Sequence, residues 1–331
     1  MPRYISDQNK AVLLFESGTY GVTSGNGYWV GEVTDITIND EENLLVDRFM
    51  GASTRSVSQW VGGPRTVDGT VTYNIQDMRL PFIAIGSVRD ISGTNNVHYV
   101  NQVNTDAWQN PFCSGTGQLN GPRSFALEVS NTSAGTNNNM IRTLKGAVVN
   151  SMTLTATQGE KVVCDVDFIA QAGSYTSGTT TSATVSSITP YVWSDCTLTV
   201  SGMTVNTAKE ISLKVENNVE GPHYLTASRN ISSPIPGNRD NTLSITMDTE
   251  TQTSNAFYDL YKNNASFNVT LDLNSDDTTG SQHTIYFLSG CKISKMPIPL
   301  KKEGVVESTV EIVSPTIIGS AIDTISQYNP F

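Results

Sequence analysis

An internal repeat limits what this chain can fold into more than any other feature of its sequence. Gly146-Ala-Val-Val-Asn-Ser-Met-Thr-Leu154 aligns without a gap on Gly290-Cys-Lys-Ile-Ser-Lys-Met-Pro-Ile298, with residues 146 and 290 lying 144 positions apart. The same spacing carries Val162-Val-Cys-Asp-Val-Asp-Phe168 onto Val306-Glu-Ser-Thr-Val-Glu-Ile312. Alternation agrees as well. Val162, Cys164, Val166 and Phe168 fall on one face, as do Val306, Ser308, Val310 and Ile312, and a period of two is the signature of a half-buried strand. Three earlier pairs keep the same order: Arg123 to Leu127 with Ala265 to Val269, Gly69 to Tyr73 with Asn241 to Ile245, and Asp35 to Ile38 with Glu210 to Leu213. One such match between Thr/Val-rich strands arises by chance; an ordered series does not. The spacing falls from 172 (69 to 241) to 142 (123 to 265). The first copy therefore carries an insertion of roughly 30 residues, assigned to the Asn/Gly-rich stretch 87–122.

The expected fold is all-β with one or two short helices, built as two tandem β-sandwich or barrel domains. Residues 1–30 read as an N-terminal arm and 31–172 as copy one. Residues 173–189 read as a Ser/Thr-rich linker, 190–314 as copy two, and 315–331 as a C-terminal tail. Two stretches, 40–63 and 216–237, follow the first paired strand of each copy and read as long loops. Phe257, Leu260 and Tyr261 have helical spacing behind Ser254, which suits an N-cap. Leu80-Pro-Phe-Ile-Ala-Ile-Gly86 reads as the counterpart helix, with Pro81 in its first turn.

Composition restricts the chemistry. Charged residues are 15%, the net charge is −11 and the pI is about 4.7. A chain that grips DNA carries a basic stripe, and none is visible. Cys113, Cys164, Cys196 and Cys291 form no Cys-x-x-Cys pair and read as free thiols. The first ten residues lack the apolar core of a signal peptide, and no apolar run is long enough to span a bilayer. His98, His223 and His283 lie far apart, without metal-ligand spacing. Gly115 to Gly121 misses the dinucleotide spacing. Asp272 to Gly280 hints at a calcium loop but has Asp277 and His283 where Gly and Glu are needed. Neither a catalytic group nor a cofactor is expected. Asp165 and Asp167 alternate on one strand face, and Glu307 and Glu311 occupy the same face of the matching strand. A repeated acidic face reads as a surface property rather than a catalytic pair.

Asn9-Lys-Ala-Val-Leu-Leu-Phe-Glu16-Ser-Gly-Thr-Tyr20-Gly21, followed by Gly27-Tyr-Trp-Val-Gly31, resembles the opening of major tail tube proteins of tailed bacterial and archaeal viruses. Gly69-Thr-Val-Thr-Tyr-Asn with Leu80 to Gly86, and Leu144 to Leu154 with the strand after it, are similar to later segments of that family. The resemblance spans most of residues 10–314. It implies a structural virion protein of the tail, assembled in the host cytoplasm. Such a protein polymerises as stacked rings into a conduit for DNA ejection. With two copies per chain, it implies homotrimeric rings of pseudo-sixfold symmetry. Tape-measure, tail terminator and baseplate proteins are the implied partners, with double-stranded DNA in transit and no membrane. On this reading Asp165, Asp167, Glu307 and Glu311 face the lumen, with Glu128 and Asp248 on the polar phases of their own strands, and repel phosphate. Two other readings have distinct signatures. A two-domain adhesin or receptor-binding virion protein would cluster aromatic residues on loops at one end. A β-sandwich hydrolase would converge carboxylates in a cleft.

Overall fold

A computed structural model describes residues 9–16, 20–48, 59–90, 97–101, 122–131, 139–183, 189–226, 228–249, 251–275, 282–297 and 305–322. The strands of the N-terminal half are β1 (Lys10–Glu16), β2 (Thr23–Trp29), β3 (Glu32–Asp47), β4 (Gln59–Asn74), β5 (Ser87–Asp90), β6 (Val97–Asn101), β7 (Phe125–Asn131), β8 (Asn139–Thr157), β9 (Val163–Ala170) and β10 (Ala172–Gly178). Those of the C-terminal half are β11 (Cys196–Val200), β12 (Met203–Thr204), β13 (Ala208–Glu216), β14 (Asp240–Asp248), β15 (Phe267–Ser275), β16 (Gln282–Lys295), β17 (Glu307–Ser314) and β18 (Thr316–Ile322). Helix α1 (Arg79–Ile85) follows β4, and α2 (Thr251–Lys262) follows β14.

The strands hydrogen-bond into one network. At its centre lies an antiparallel sheet of eight strands in the order β3-β4-β9-β8-β13-β14-β17-β16. Its first four and last four strands run in the same order. Their irregularities coincide too. Bulges fall at Val33/Asp35 and Ala208/Glu210, at Phe125/Leu127 and Phe267/Val269, and at Val149/Ser151 and Ile293/Lys295. An extra residue re-aims a strand, so matched bulges give both halves the same local twist. One sequence pairing shifts. Gly69 opposes Phe168 as Leu243 opposes Ile312, so Gly69 corresponds to Leu243 and not Asn241. The shift is two residues, which leaves every side chain on its own face.

Two smaller sheets cover the inner face of the central one, in the orders β2-β1-β7-β8-β10 and β12-β11-β15-β16-β18-β6-β5. Strands β8 and β16 belong to both layers. Each crosses over near a left-handed glycine, Gly146 (φ 60°) and Gly290 (φ 69°), a backbone state that costs other residues energy. Between the layers lies one core, fed from both halves by Leu13, Tyr73, Phe168, Leu213, Ile245 and Ile312 among others. Helix α1 is buried from Leu80 to Ile85. The Ala84 carbonyl near its end accepts hydrogen bonds from Asn217 Nδ2 (3.0 Å) and Arg239 (3.3 Å), both on the C-terminal half. Asn217 Nδ2 also donates to the Val149 carbonyl at 3.0 Å, and Arg239 Nε donates to Asn217 Oδ1 at 2.7 Å. Buried polar groups need such partners, so this cluster fixes one half on the other.

Several stretches read as connectors are strands. Within the expected arm, residues 10–16 form β1 and 23–29 form β2, and Ala11 to Glu16 are all buried. Residues 173–178 of the expected linker belong to β10, paired with β8. Residues 316–322 of the expected tail form β18. Part of the insertion forms the hairpin β5–β6, and β6 pairs with β18 of the other half. Stretch 40–63 continues the β3–β4 hairpin, paired as far as Asp47 with Gln59. Residues 49–58, 102–121, 184–188 and 323–331 lie outside the described residues. Helix α2 begins three residues before Ser254, so Ser254 is inside it rather than at its cap.

Candidate functional site

The outward face of the central sheet gathers the acidic residues picked out in the sequence. On β9, Asp165 lies opposite Thr72 and Thr153, and Asp167 lies opposite Thr70 and Ser151. Thr72 donates its hydroxyl to Asp165 at 2.5 Å and Ser151 donates to Asp167 at 2.7 Å. On the C-terminal strands, Asp248 opposes Glu307. Lys209 bridges them, 2.7 Å from each. Glu311 opposes Ser244 and pairs with Lys295 at 3.0 Å. Period-two alternation explains the arrangement: the residues between, such as Val71, Tyr73, Cys164, Val166, Ile245 and Val310, are buried in the core.

This face is hydroxyl-rich and net acidic. Asp35, Asp68, Glu210 and Glu216 extend the acidic set, against Lys209, Lys214 and Lys295. The two halves hold their acids differently. Hydroxyls bind Asp165 and Asp167, whereas lysines bind Asp248, Glu307 and Glu311. Asp248 first and Glu307 second hold the Lys209 ammonium above the usual lysine range.

Glu128 does not join this set, which corrects the sequence reading. It lies on β7, in a covering sheet, and is buried. Its carboxylate accepts the Thr181 backbone N–H at 2.6 Å and the Thr181 hydroxyl at 2.9 Å. Nearby Ala183 packs on Val12, Leu14 and Ala126. The polar phase of β7 is thus roofed by chain, not solvent.

Sequence reasoning missed Glu16, a carboxyl buried at the end of β1. It accepts the Ser124 hydroxyl at 2.6 Å and the backbone N–H groups of Gly146 (2.7 Å) and Gly21 (3.0 Å). Burial pushes its pKa up, against the lowering effect of those bonds. The one hint in sequence is a Glu closing an apolar run.

Little else converges. Among the described residues no group of three or more His, Cys, Asp and Glu is placed to hold a metal ion. His283 pairs with Asp272 across the β15–β16 hairpin at 2.7 Å. Burial pushes the Cys164 and Cys196 thiols up to about 12, which makes them inert. An open concavity of about 570 Å³ lies at the base of the β3–β4 hairpin. Most of its charges are committed: Arg65 pairs with Asp40 at 2.5 Å, Arg229 pairs with Glu42, and Arg142 stacks 4.4 Å over the Tyr175 ring. No helix among the described residues is long and apolar enough to cross a membrane.

The central sheet ends in two strands with one free side each. β3 pairs only with β4, and β16 from Lys292 onward pairs only with β17 among the described strands. A free edge is a template for another strand. A broad sheet with one core face, one polar face and open edges defines a wall-forming structural protein. The sequence matches the family model of the phage tail tube protein over residues 8–314, and the chain belongs to that family. It is a structural protein of the virion tail that assembles with itself into a tube. No curated protein sequence matches it.

Proposed function

We propose that three chains close into a ring around the outward face of the central sheet, and that stacked rings make a conduit for viral double-stranded DNA. One observation carries this reading: an eight-stranded sheet whose two halves repeat the same strand order and bulges, and whose two ends are open. The coincidence supports two copies of one unit per chain, each filling one of six equivalent wall positions. Three such sheets make a wall of about 24 strands. At ~4.8 Å per strand and a tilt near 40°, its circumference is roughly 150 Å and its backbone diameter ~50 Å. That passes duplex DNA after side chains are allowed for.

Asp165, Asp167, Asp248, Glu307 and Glu311 then line the lumen. Carboxylates repel phosphate, the hydroxyls between them carry no charge, and Lys209, Lys214 and Lys295 on the same face are each held by carboxylates. The chain performs no catalytic step. A tape-measure protein occupies the lumen during assembly, and terminator and baseplate proteins cap the ends. Leu44, Leu45, Val46, Trp60 and Val61 stand exposed on the projecting β3–β4 hairpin. An apolar patch of this kind marks an interaction surface, here the contact with the next ring.

Negative-stain microscopy of the purified protein, with ring mass measured by light scattering, tests the reading. Rings or hollow tubes with three chains per ring are expected; monomers alone at high concentration would refute it. Replacing the five carboxylates by Lys is expected to leave tubes intact and block DNA delivery. Unimpaired delivery would remove lumen repulsion from the account.

A further inference from the structure

We infer that the open concavity at the base of the β3–β4 hairpin is a seat for helix α2 of a second copy, and that Asp259 of that copy pairs there with Arg142. The inference rests on the ring reading above and adds a side-chain lock to it.

The concavity is lined by Asp40, Glu42, Arg65, Arg142 and Tyr175 among others. Its counterpart in the C-terminal half is filled. Strand registers make the transfer. Counted from the matched bulges at Val33/Asp35 and Ala208/Glu210, Glu42 corresponds to Asn217. Counted from the Gly69–Leu243 match, Arg65 corresponds to Arg239. On the covering sheets the repeat spacing carries Arg142 onto Tyr286 and Tyr175 onto Gly319. The cross-strand pairs agree, Arg142 opposite Tyr175 and Tyr286 opposite Gly319. In the C-terminal half α1 occupies this place. Asn217 and Arg239 bond to its Ala84 carbonyl. Its Phe82 ring lies edge-on to Tyr286, with centroids 6.2 Å apart. A Cβ on Gly319 would come within 3.0 Å of that ring, so the glycine makes room for it.

The two helices correspond as well. Gly86 N–H donates to the Phe82 carbonyl as Asn263 N–H donates to that of Asp259. Arg123 N–H donates to the Ile83 carbonyl as Ala265 N–H donates to that of Leu260. Leu80 and Ile83 therefore match Phe257 and Leu260, which pack on the core. Phe82, Ala84 and Ile85 match Asp259, Tyr261 and Lys262. The first three are buried, whereas the second three are exposed. One helix is thus seated and its counterpart is bare. α2 cannot reach the concavity of its own chain. It packs on β16, the last strand of the central sheet, while the concavity borders β3, the first. At ~4.8 Å per strand these lie roughly 34 Å apart. A head-to-tail contact between copies brings them together, and such contacts close rings.

Helix and seat have changed chemistry in step. Phe82 on Tyr286 becomes Asp259 on Arg142. The bulky side chain moves from helix to seat, since Tyr175 stands where Gly319 makes room. Buried Val215 and Asn217 become Asp40 and Glu42, and Ile85 becomes Lys262. An apolar helix meets an apolar seat inside the chain, and a polar helix meets a charged seat between chains. Each seat thereby rejects the other's helix, and opposite charges speed encounter and fix the docking position. Arg142 donates to the Ile38 carbonyl at 3.2 Å while stacking on Tyr175. A guanidinium carries five N–H donors, so a carboxylate can still join it.

The test uses the full-length chain carrying R142C and D259C together, treated with a short bismaleimide. A covalent trimer is expected on a denaturing gel, with each single variant giving none, which controls for the native cysteines. In parallel, D259R is expected to reduce ring formation at least tenfold, and R142E added to D259R to restore it; circular dichroism checks that each variant stays folded. Wild-type rings with no crosslinked trimer, or crosslinks confined to single chains, would overturn the seat while leaving the ring. Normal rings from D259R, or a loss that R142E does not rescue, would overturn the ion pair. Absence of wild-type rings would overturn the ring reading itself, and the seat with it.

Discussion

The two halves of the central sheet are alike in the wall and unlike at its rim. β3-β4-β9-β8 and β13-β14-β17-β16 match in order, bulges and crossover glycines. Beyond the wall they diverge. The N-terminal half extends its first hairpin to Asp47 and Gln59. The C-terminal half has irregular chain there instead, between Asn217 and Arg239. That chain braces the other half's hairpin: Arg229 forms an ion pair with Glu42, and its carbonyl accepts the Arg65 N–H at 2.9 Å. The N-terminal half also sends β6 across to cover the edge of β18. In the proposed ring, six equivalent positions would have to fit one circle, which leaves little room for variation in the wall. The rim would be free to specialise, and three chains would carry six wall units but three projecting hairpins.

The comparison breaks hardest at the hairpin. Deleting residues 44–61 joins Asn43 to Gly62, a pair suited to a two-residue turn, and keeps Glu42 and Arg65. Tubes are expected to disappear by electron microscopy while the monomer keeps its melting temperature; normal tubes would remove the hairpin from assembly. The crossover glycines should differ next. A Cβ at Gly146 would lie 2.6 Å from the Tyr20 ring, whereas at Gly290 the nearest atom is in Pro315, at 3.1 Å. G146A adds overpacking to the left-handed penalty, about 3 kcal/mol in all, against about 1 kcal/mol for G290A. Urea unfolding of both variants measures the gap, and equal losses would mean the two crossovers are energetically equivalent.

Glu16 gives a smaller, pH-dependent contrast, since β11 and β12 bury no such carboxyl. Burial raises its folded pKa above the ordinary 4.5. The folded state then holds the proton more tightly, so this group's contribution is full below pH 4.5 and is lost as pH rises through the folded pKa. Relative to E16Q, wild type is expected to lose stability as the buffer is raised from pH 4 to pH 8. A pH-independent difference between the two proteins would contradict this. Smallest of all is K209M. It frees Asp248 and Glu307 on an exposed face, where ion pairs contribute little. Its melting temperature should differ slightly from wild type in low salt and coincide with it at 1 M salt.

What was legible in the sequence follows from what each strand buries. β9 and β17 alternate cleanly because one face is core and the other solvent, and that alternation revealed the repeat and the placement of Asp165, Asp167, Glu307 and Glu311. β1 hid as an arm because Ala11 to Phe15 is apolar without alternation, being covered on both faces. β10 hid as a linker because Ser174 to Ser177 are exposed at an edge and resemble a polar loop. Glu128 misled because strand phase names a face without telling what covers it. The β3–β4 extension hid because strands of 16 residues are far longer than usual. The Gly69 pairing slipped by two because a period-two pattern matches itself at that shift.

The partnership of β6 with β18 also sets a schedule. Asn101 must find Ile318, and Ala84 must find Asn217 and Arg239. Contacts so far apart along a chain form slowly, since long loops have to close first. During synthesis, residues 97–101 emerge from the ribosome long before their partner strand has been translated. The covering sheet that holds β5 and β6 therefore reaches its finished form only when the chain is nearly complete, although the N-terminal wall strands have all been made much earlier.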